Sequence, residues 1–545
     1  MTHPARAHLA THEVTNQPQP RDTLDLWHAD AALQAAARRG CPQDAPALAA
    51  FAADLGSAEA QQDALAAQRC KPELRAFDRF GRRLDEVAFH PGYHAMMRRG
   101  AEAGYAARAW DGRPGGHMAH AAMLYLTAQI EPGVTCPLTM TYAATPALNA
   151  HAPPDLRDAW VPGLTRAAYD PASRPSPQKQ ALTLGMAMTE KQGGSDVRAN
   201  ATHARRDGEH WRLTGHKWFC SAPMCDGFLT LAQAEGGLTC FLVPRWTPEG
   251  ERNGLHLQRL KDKLGNHANA SAEIEYHDAF AWAVGEPGRG IPTILDMVHH
   301  TRLDTAVAPC AFMRRALDEA AWWARERTAF QRRLIDQPLM EGVLADLALD
   351  WLGATASVFR VARAFDAAAG GDADEAAFAR IALPIVKFWN NKRCSGVVVE
   401  AMECLGGMGY VEETPLPMLY REAPLNGIWE GSGNVICLDV LRALSRRPES
   451  GEVLRAELAV AVGQDARYDA AWDDVDAVLS HGVAESQARA VVERLALLLQ
   501  AAELMRAGPP EAAEGLLAAR LAPGGGRCFG ALPKGVEARR LAALI

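Results

Sequence analysis

Apolar positions recur at three- and four-residue spacing through most of this chain and at two-residue spacing only near its middle. From Thr23 to about Asn149 the texture is rich in Ala and Leu, as in Ala47-Leu48-Ala49-Ala50-Phe51 and Ala64-Leu65-Ala66-Ala67, which predicts helices. Gly112 to Gly116 interrupts them, and Pro171 to Pro177, with its prolines and serines, reads as a connecting loop. Between about Leu182 and Val284 shorter runs take over, such as Phe228-Leu229-Thr230-Leu231 and Thr239-Cys240-Phe241-Leu242-Val243, broken by Gly236-Gly237 and Pro244. Ala272-Glu273-Ile274-Glu275-Tyr276 alternates apolar and charged residues with period two, the mark of a half-buried strand.

Beyond Gly288-Arg289-Gly290 the helical period returns. Leu303, Ala306, Cys310, Met313, Leu317 and Ala320 fall on one side of a helix that Pro309 is expected to kink. A further helix is predicted from about Pro384 to Leu405, ending at the φ-permissive pair Gly406-Gly407. After Pro448 an Ala- and Leu-rich stretch, broken at Gly508-Pro509-Pro510 and Pro523-Gly524-Gly525-Gly526, reads as a separate helical extension. The expected architecture is α+β: an N-terminal helical domain over 1–181, a β domain over 182–290, a helical bundle over 291–445 and an added helical domain over 446–545.

With 545 residues, 48% of them apolar, the chain can bury a large core divided among several domains. A net charge of -8 exerts no global pull on nucleic acid or anionic membrane. The first thirty residues lack an apolar stretch and no run of eighteen apolar residues follows, so a cytoplasmic protein without membrane partner is expected. The 11 cysteines are odd in number and show no C-x-x-C spacing, which argues against a disulfide framework or zinc site and for buried small hydrophobes.

Two short segments carry candidate chemistry. In Met188-Thr189-Glu190-Lys191-Gln192-Gly193-Gly194-Ser195-Asp196 the glycines let backbone N–H groups approach an anionic or carbonyl-rich cofactor, and Thr189 and Ser195 add hydroxyls at the same rim. In Ile428-Trp429-Glu430-Gly431-Ser432-Gly433-Asn434 a carboxylate sits among glycines. An ordinary surface turn explains either segment alone; together, and in this order, they resemble the acyl-CoA dehydrogenases.

That resemblance covers roughly residues 60 to 445 and includes Glu403-Cys404-Leu405-Gly406-Gly407-Met408-Gly409-Tyr410. Arg259-Leu260-Lys261-Asp262-Lys263-Leu264-Gly265 and the long extension point to the branch of that family typified by AidB, the flavoproteins of the adaptive response to alkylation. The resemblance implies FAD as cofactor and Glu430 as the catalytic base for α,β-dehydrogenation of an acyl-CoA. It places Met188, Thr189, Gly194 and Ser195 on the flavin loop, Phe219 and Ser221 beside the isoalloxazine, and Trp429, Gly431, Gly433 and Asn434 along the cofactor.

It further implies a homotetramer in which Arg327 and Phe330 reach a neighbouring subunit's cofactor, and it counts Gly406 and Gly407 among the cofactor-binding residues. Two positions depart from the family pattern. Gln331 stands where Gly is usual, and Glu403 replaces a Gln, a carboxylate that would repel a pyrophosphate and so is expected to point elsewhere. Trp429 stands where many relatives carry Tyr, and a larger indole narrows the acyl cavity.

Two further functions compete with dehydrogenation: DNA binding through the extension, and packing of subunits by it. From Ser445 onward there are 12 basic and 14 acidic side chains, so the extension is not basic overall, although Arg446-Arg447 and Arg539-Arg540 could gather on one face. Its apolar helices, for example Val491-Val492-Glu493-Arg494-Leu495-Ala496-Leu497-Leu498-Leu499, suit assembly better.

Overall fold

A computed structural model describes residues 5–523 and 526–545. Helices α1 (Ala31–Gly40), α2 (Ala45–Leu55), α3 (Ala58–Arg69), α4 (Pro91–Glu102), α5 (Gly116–Ala128), α6 (Thr135–His151) and α7 (Pro154–Leu164) build the N-terminal part. A hairpin of β1 (Glu73–Phe77) and β2 (Arg83–Ala88), absent from the helical reading of this region, interrupts them. Its turn is made locally: Asp78 Oδ1 accepts the amide N–H of Phe80 and of Arg82, and Gly81 takes φ +79°. Every residue of α5 is buried, including His117, His120 and Thr127, which marks a core helix.

The middle of the chain folds as strands β3 (Leu184–Ala187), β4 (His203–Asp207), β5 (His210–Ser221), β6 (Gly227–Ala234), β7 (Gly237–Pro244), β8 (Leu255–Leu260) and β9 (Ser271–Val284). Pairing runs β6–β7–β9–β5–β4 and returns from β4 to β6 through His203 and Gln233, so the sheet closes on itself and few edges stay open. The sheet interior and α6 and α7 share one apolar cluster, in which Leu213, Phe228, Phe241 and Ile274 are fully buried.

Helices α8 (Gly290–Glu326), α9 (Pro338–Ala369), α10 (Ala373–Cys404), α11 (Leu416–Glu422) and α12 (Gly433–Arg446) follow, with a small hairpin of β10 (Thr328–Ala329) and β11 (Arg332–Arg333) after α8. The helix α8 continues through Pro309. The helix α10 starts eleven residues before the expected Pro384, because Asp372 caps it by accepting from the amides of Asp374 and Glu375. Pro384 sits inside, where packing on both flanks offsets its lost hydrogen bond.

The extension consists of α13 (Pro448–Ala459), α14 (Ala466–His481), α15 (Ala488–Ala507), α16 (Pro510–Leu516) and α17 (Ala538–Ala542). It does not stand apart from the bundle. Val492, Leu495, Leu498 and Leu499 of α15 are inaccessible to solvent and share one apolar cluster with Trp351 and Phe359 of α9. Each such leucine contributes about 1.5–3 kcal/mol by leaving water. Arg360 pairs with Glu457, and Arg520 with Asp350, across the same seam. The helix α9 is long and apolar enough to cross a membrane by composition, but 83% of its most apolar window is buried by neighbouring helices.

Candidate active site

The loop after β3 is fastened at its base by charge. Glu190 and Lys217 are both fully buried and lie 2.7 Å apart; Glu190 also accepts from the amide of Ala201, and Lys217 donates to Leu231 O. Burial works to raise the Glu190 carboxyl, but hydrogen bonds from Lys217, Thr202 and Ala201 outweigh it and bring it down to about 2. Trp218 N donates to Thr189 O at 2.8 Å and so ties the loop to β5. Above this base the chain turns at Gly193, φ +144°, where any other residue would be strained. At Gly194 a Cβ would lie 2.4 Å from Thr189 Oγ1, so glycine is needed there for close approach. Met188 and Thr189 are partly buried, and Ser195 is exposed at the rim.

The end of β5 supplies a second wall. Phe219 is half exposed, an unusual position for a large aromatic on a closed sheet. Lys261 Nζ lies 3.2 Å from the centroid of the Trp218 ring and 4.7 Å from that of Phe219. Ser221 Oγ is 3.3 Å from Ser271 Oγ.

The third wall is the turn before α12. Glu430 has φ +57°, a conformation that a non-glycine residue holds only when its surroundings enforce it. Those surroundings come from α8 and α10. Thr301 Oγ1 donates to Glu430 Oε2 at 2.8 Å, and Arg302 Nε donates to the Glu430 carbonyl at 3.1 Å while its Nη1 pairs with Asp439. Lys387, 1% exposed, donates to the carbonyls of Asn426, Trp429 and Gly431. Trp429 Nε1 donates to Asn426 Oδ1 at 2.7 Å, which fixes the indole.

Burial raises the Glu430 carboxyl above its ordinary value, opposed by the Thr301 hydrogen bond and the charges of Arg302 and Lys387. Burial pulls the Lys387 ammonium down to about 7, with the Glu430 charge working the other way. Cys136 stands in the first turn of α6. Burial pushes its thiol up to about 11, and it feels both the Ser221 hydroxyl and the Glu430 carboxylate. Asn269 is 1% exposed and leaves both side-chain polar atoms without a partner.

Other candidate residues lie elsewhere in the chain. Arg327 is 26 residues beyond Thr301, about 39 Å along helical geometry. Phe330, at the tip of the β10–β11 hairpin, is 94% exposed with φ +52°, and Gln331 follows with φ +63°. Gly406 and Gly407, beyond the end of α10, are exposed and a Cβ at either would meet nothing. Glu403 is exposed. Asn434 is held by the extension: Arg489 Nη1 donates to its Oδ1 at 2.8 Å. Sequence reasoning missed Thr301, Arg302, Lys387, Cys136 and Arg489. Of the two expected basic pairs in the extension, three arginines are matched by acids, Arg539 with Glu341, Arg540 with Glu537 and Arg447 with Glu449.

Comparison with known proteins gives the family. Family models for the acyl-CoA dehydrogenase middle domain and C-terminal domain match residues 185–279 and 288–445, and that for the adaptive response protein AidB N-terminal domain matches residues 16–171. AidB of Escherichia coli is 46% identical over 93% of this chain and 94% of its own length. The structure of Caenorhabditis elegans ACDH-11 in complex with C11-CoA is 27% identical, with a TM-score of 0.82 over 94% of this chain and 92% of that one. An acyl-CoA dehydrogenase of Bacillus anthracis complexed with FAD shares the fold at 18% identity, with a TM-score of 0.66 over 78% of this chain and 79% of its own. The chain belongs to the acyl-CoA dehydrogenase family, oxidoreductases acting on CH–CH bonds, in its AidB-type branch.

The cofactor of this family is FAD. The residues present fit it in kind: a half-exposed aromatic, Phe219, an open glycine turn at Gly193 and the unpartnered side-chain amide of Asn269.

Proposed function

We propose that the protein dehydrogenates an acyl-CoA thioester, with Glu430 as the base. The observation that carries this reading is a partly enclosed carboxylate, held at φ +57° and hydrogen-bonded by Thr301, in the turn before α12. Glu430 takes the α-proton onto its carboxylate. Thr301 occupies Oε2, which leaves Oε1 for that proton. Enclosure raises the proton affinity of the base, and the Thr301 hydrogen bond and the charges of Arg302 and Lys387 oppose that rise.

FAD, when bound, supplies the hydride acceptor. Met188, Thr189, Gly194 and Ser195 hold it from the loop, Phe219 and Ser221 flank it, and Gly431 and Gly433 let the backbone approach it. Trp429, locked onto Asn426, narrows the acyl side of the cleft and favours small acyl groups. The almost fully exposed Phe330 supports assembly as a homotetramer, with Arg327, Phe330, Gly406 and Gly407 completing a neighbouring copy's site.

Anaerobic titration of the purified protein with short and branched acyl-CoAs, followed by flavin bleaching, tests the reading. Wild type should bleach, and Glu430→Gln should slow bleaching by about 100-fold or more. FAD that stays oxidised with every acyl-CoA in wild type would sink it; retention of DNA in low salt by such a protein would favour the DNA-binding alternative.

A further inference from the structure

The extension reaches the candidate cofactor residues directly. Arg489 lies in the first turn of α15, and besides its bond to Asn434 its guanidinium carbon sits 5.3 Å from the centroid of the Phe388 ring. Lys392, one turn after Phe388 on α10, places Nζ 5.8 Å from the same centroid. A Cβ at Gly433 would lie 3.2 Å from Lys392 Cε and 3.4 Å from Phe388 Cε2, so the backbone there lies against these groups. Cys437, one turn into α12, feels the positive charge of both side chains. Two cations therefore converge on the strip from Gly433 to Asn434.

Many cations of the extension are compensated, although Arg446, Arg494, Arg527 and Lys534 have no ion pair among the described residues. Arg455, Arg467, Arg506, Arg520, Arg539 and Arg540 each pair with a carboxylate. Arg489 and Lys392 are both exposed, and among the described residues neither has an ion-pair partner. Two uncompensated cations held beside a glycine and an amide form a surface for a compact anion, and a guanidinium matches phosphate oxygens in bidentate fashion. Asn434 and the Phe388 ring already orient Arg489, so little side-chain freedom remains to be lost on binding.

We infer that the extension supplies Arg489 to the FAD site, where it and Lys392 receive phosphate oxygens of the cofactor beside Gly433 and Asn434. This rests on the FAD reading above and adds to it a contact from the extension, a segment outside the matched family domains. It also ties the apolar seam between α15 and the bundle to function, since that seam sets where Arg489 stands.

The test is FAD binding to the full-length apoprotein, followed by flavin fluorescence at two salt concentrations. Arg489→Met should weaken binding by about tenfold to a hundredfold and flatten its salt dependence, because charge-assisted hydrogen bonds are of that strength. Arg489→Lys should recover part of the loss, and Arg447→Met should match wild type. Circular dichroism and the apoprotein melting temperature should be the same for all. An Arg489→Met protein that binds FAD like wild type overturns the inference, as does one that loses only DNA retention. A wild-type apoprotein that takes up no FAD defeats instead the reading on which it rests.

Discussion

Replacing Lys387 by Met tests whether this lysine sets the geometry and charge of Glu430. Methionine keeps the length of the side chain but removes the ammonium that holds the carbonyls of Asn426, Trp429 and Gly431 within about hydrogen-bond range, at 3.0, 3.1 and 2.9 Å. A buried acceptor left unmatched costs about 1–3 kcal/mol, and water can reach part of this turn, so the net destabilisation should be about 3–5 kcal/mol. Thermal unfolding should then begin several degrees lower, since about 2–4 °C follows each kcal/mol in domains of ordinary size.

The same change deletes a positive charge that favours the ionised form of Glu430. Its carboxyl must rise further, and because the base acts deprotonated, the pH profile of flavin bleaching should move to the alkaline side. Stopped-flow bleaching from acid to alkaline pH, with FAD content matched, measures this directly. A lower melting temperature with an unmoved pH profile would make Lys387 structural only. An unmoved melting temperature would refute the argument from its hydrogen bonds.

Glu422 offers a pH prediction of opposite sign to the usual surface carboxylate. Burial lifts its carboxyl from 4.5 to about 7, so ionising it costs nothing below the lower value and its full penalty, about 3 kcal/mol at most, above the upper one. Wild type should therefore lose stability between about pH 5 and about pH 8, and Glu422→Gln should reduce that loss in denaturant titrations; an unchanged slope refutes the assignment. In the extension, Leu498→Ala should cost about 2–5 kcal/mol and lower a single melting transition shared with the bundle. A separate early transition for the extension alone would show that the seam with α9 is weak.

The local devices of this protein were legible in its sequence because they depend on residue type and near neighbours. Gly193 and Gly194 announce a turn that needs positive φ and close approach, and Glu430 among glycines announces a carboxylate on irregular backbone. The alternation over Ala272 to Tyr276 marked β9, and the family resemblance ordered these pieces into one architecture. The hairpin β1–β2 was missed because its alternation is short and lies within an Ala-rich region, with only Asp78 and Gly81 to mark the turn.

What the tertiary structure decided is which distant residues share an environment. Periodicity shows that α8 and α10 have buried sides, but a Thr, Arg or Lys on a buried side reads as an interruption until the partner is known. Thr301, Arg302 and Lys387 take their roles only when α8, α10 and the turn before α12 converge on Glu430. Arg489 likewise looked like one more surface charge in a slightly acidic extension. Apolar burial against α9, not local sequence, carries it to Asn434. Conformation and residue chemistry are local properties of this chain, while its charge environments arise from helix packing across hundreds of residues.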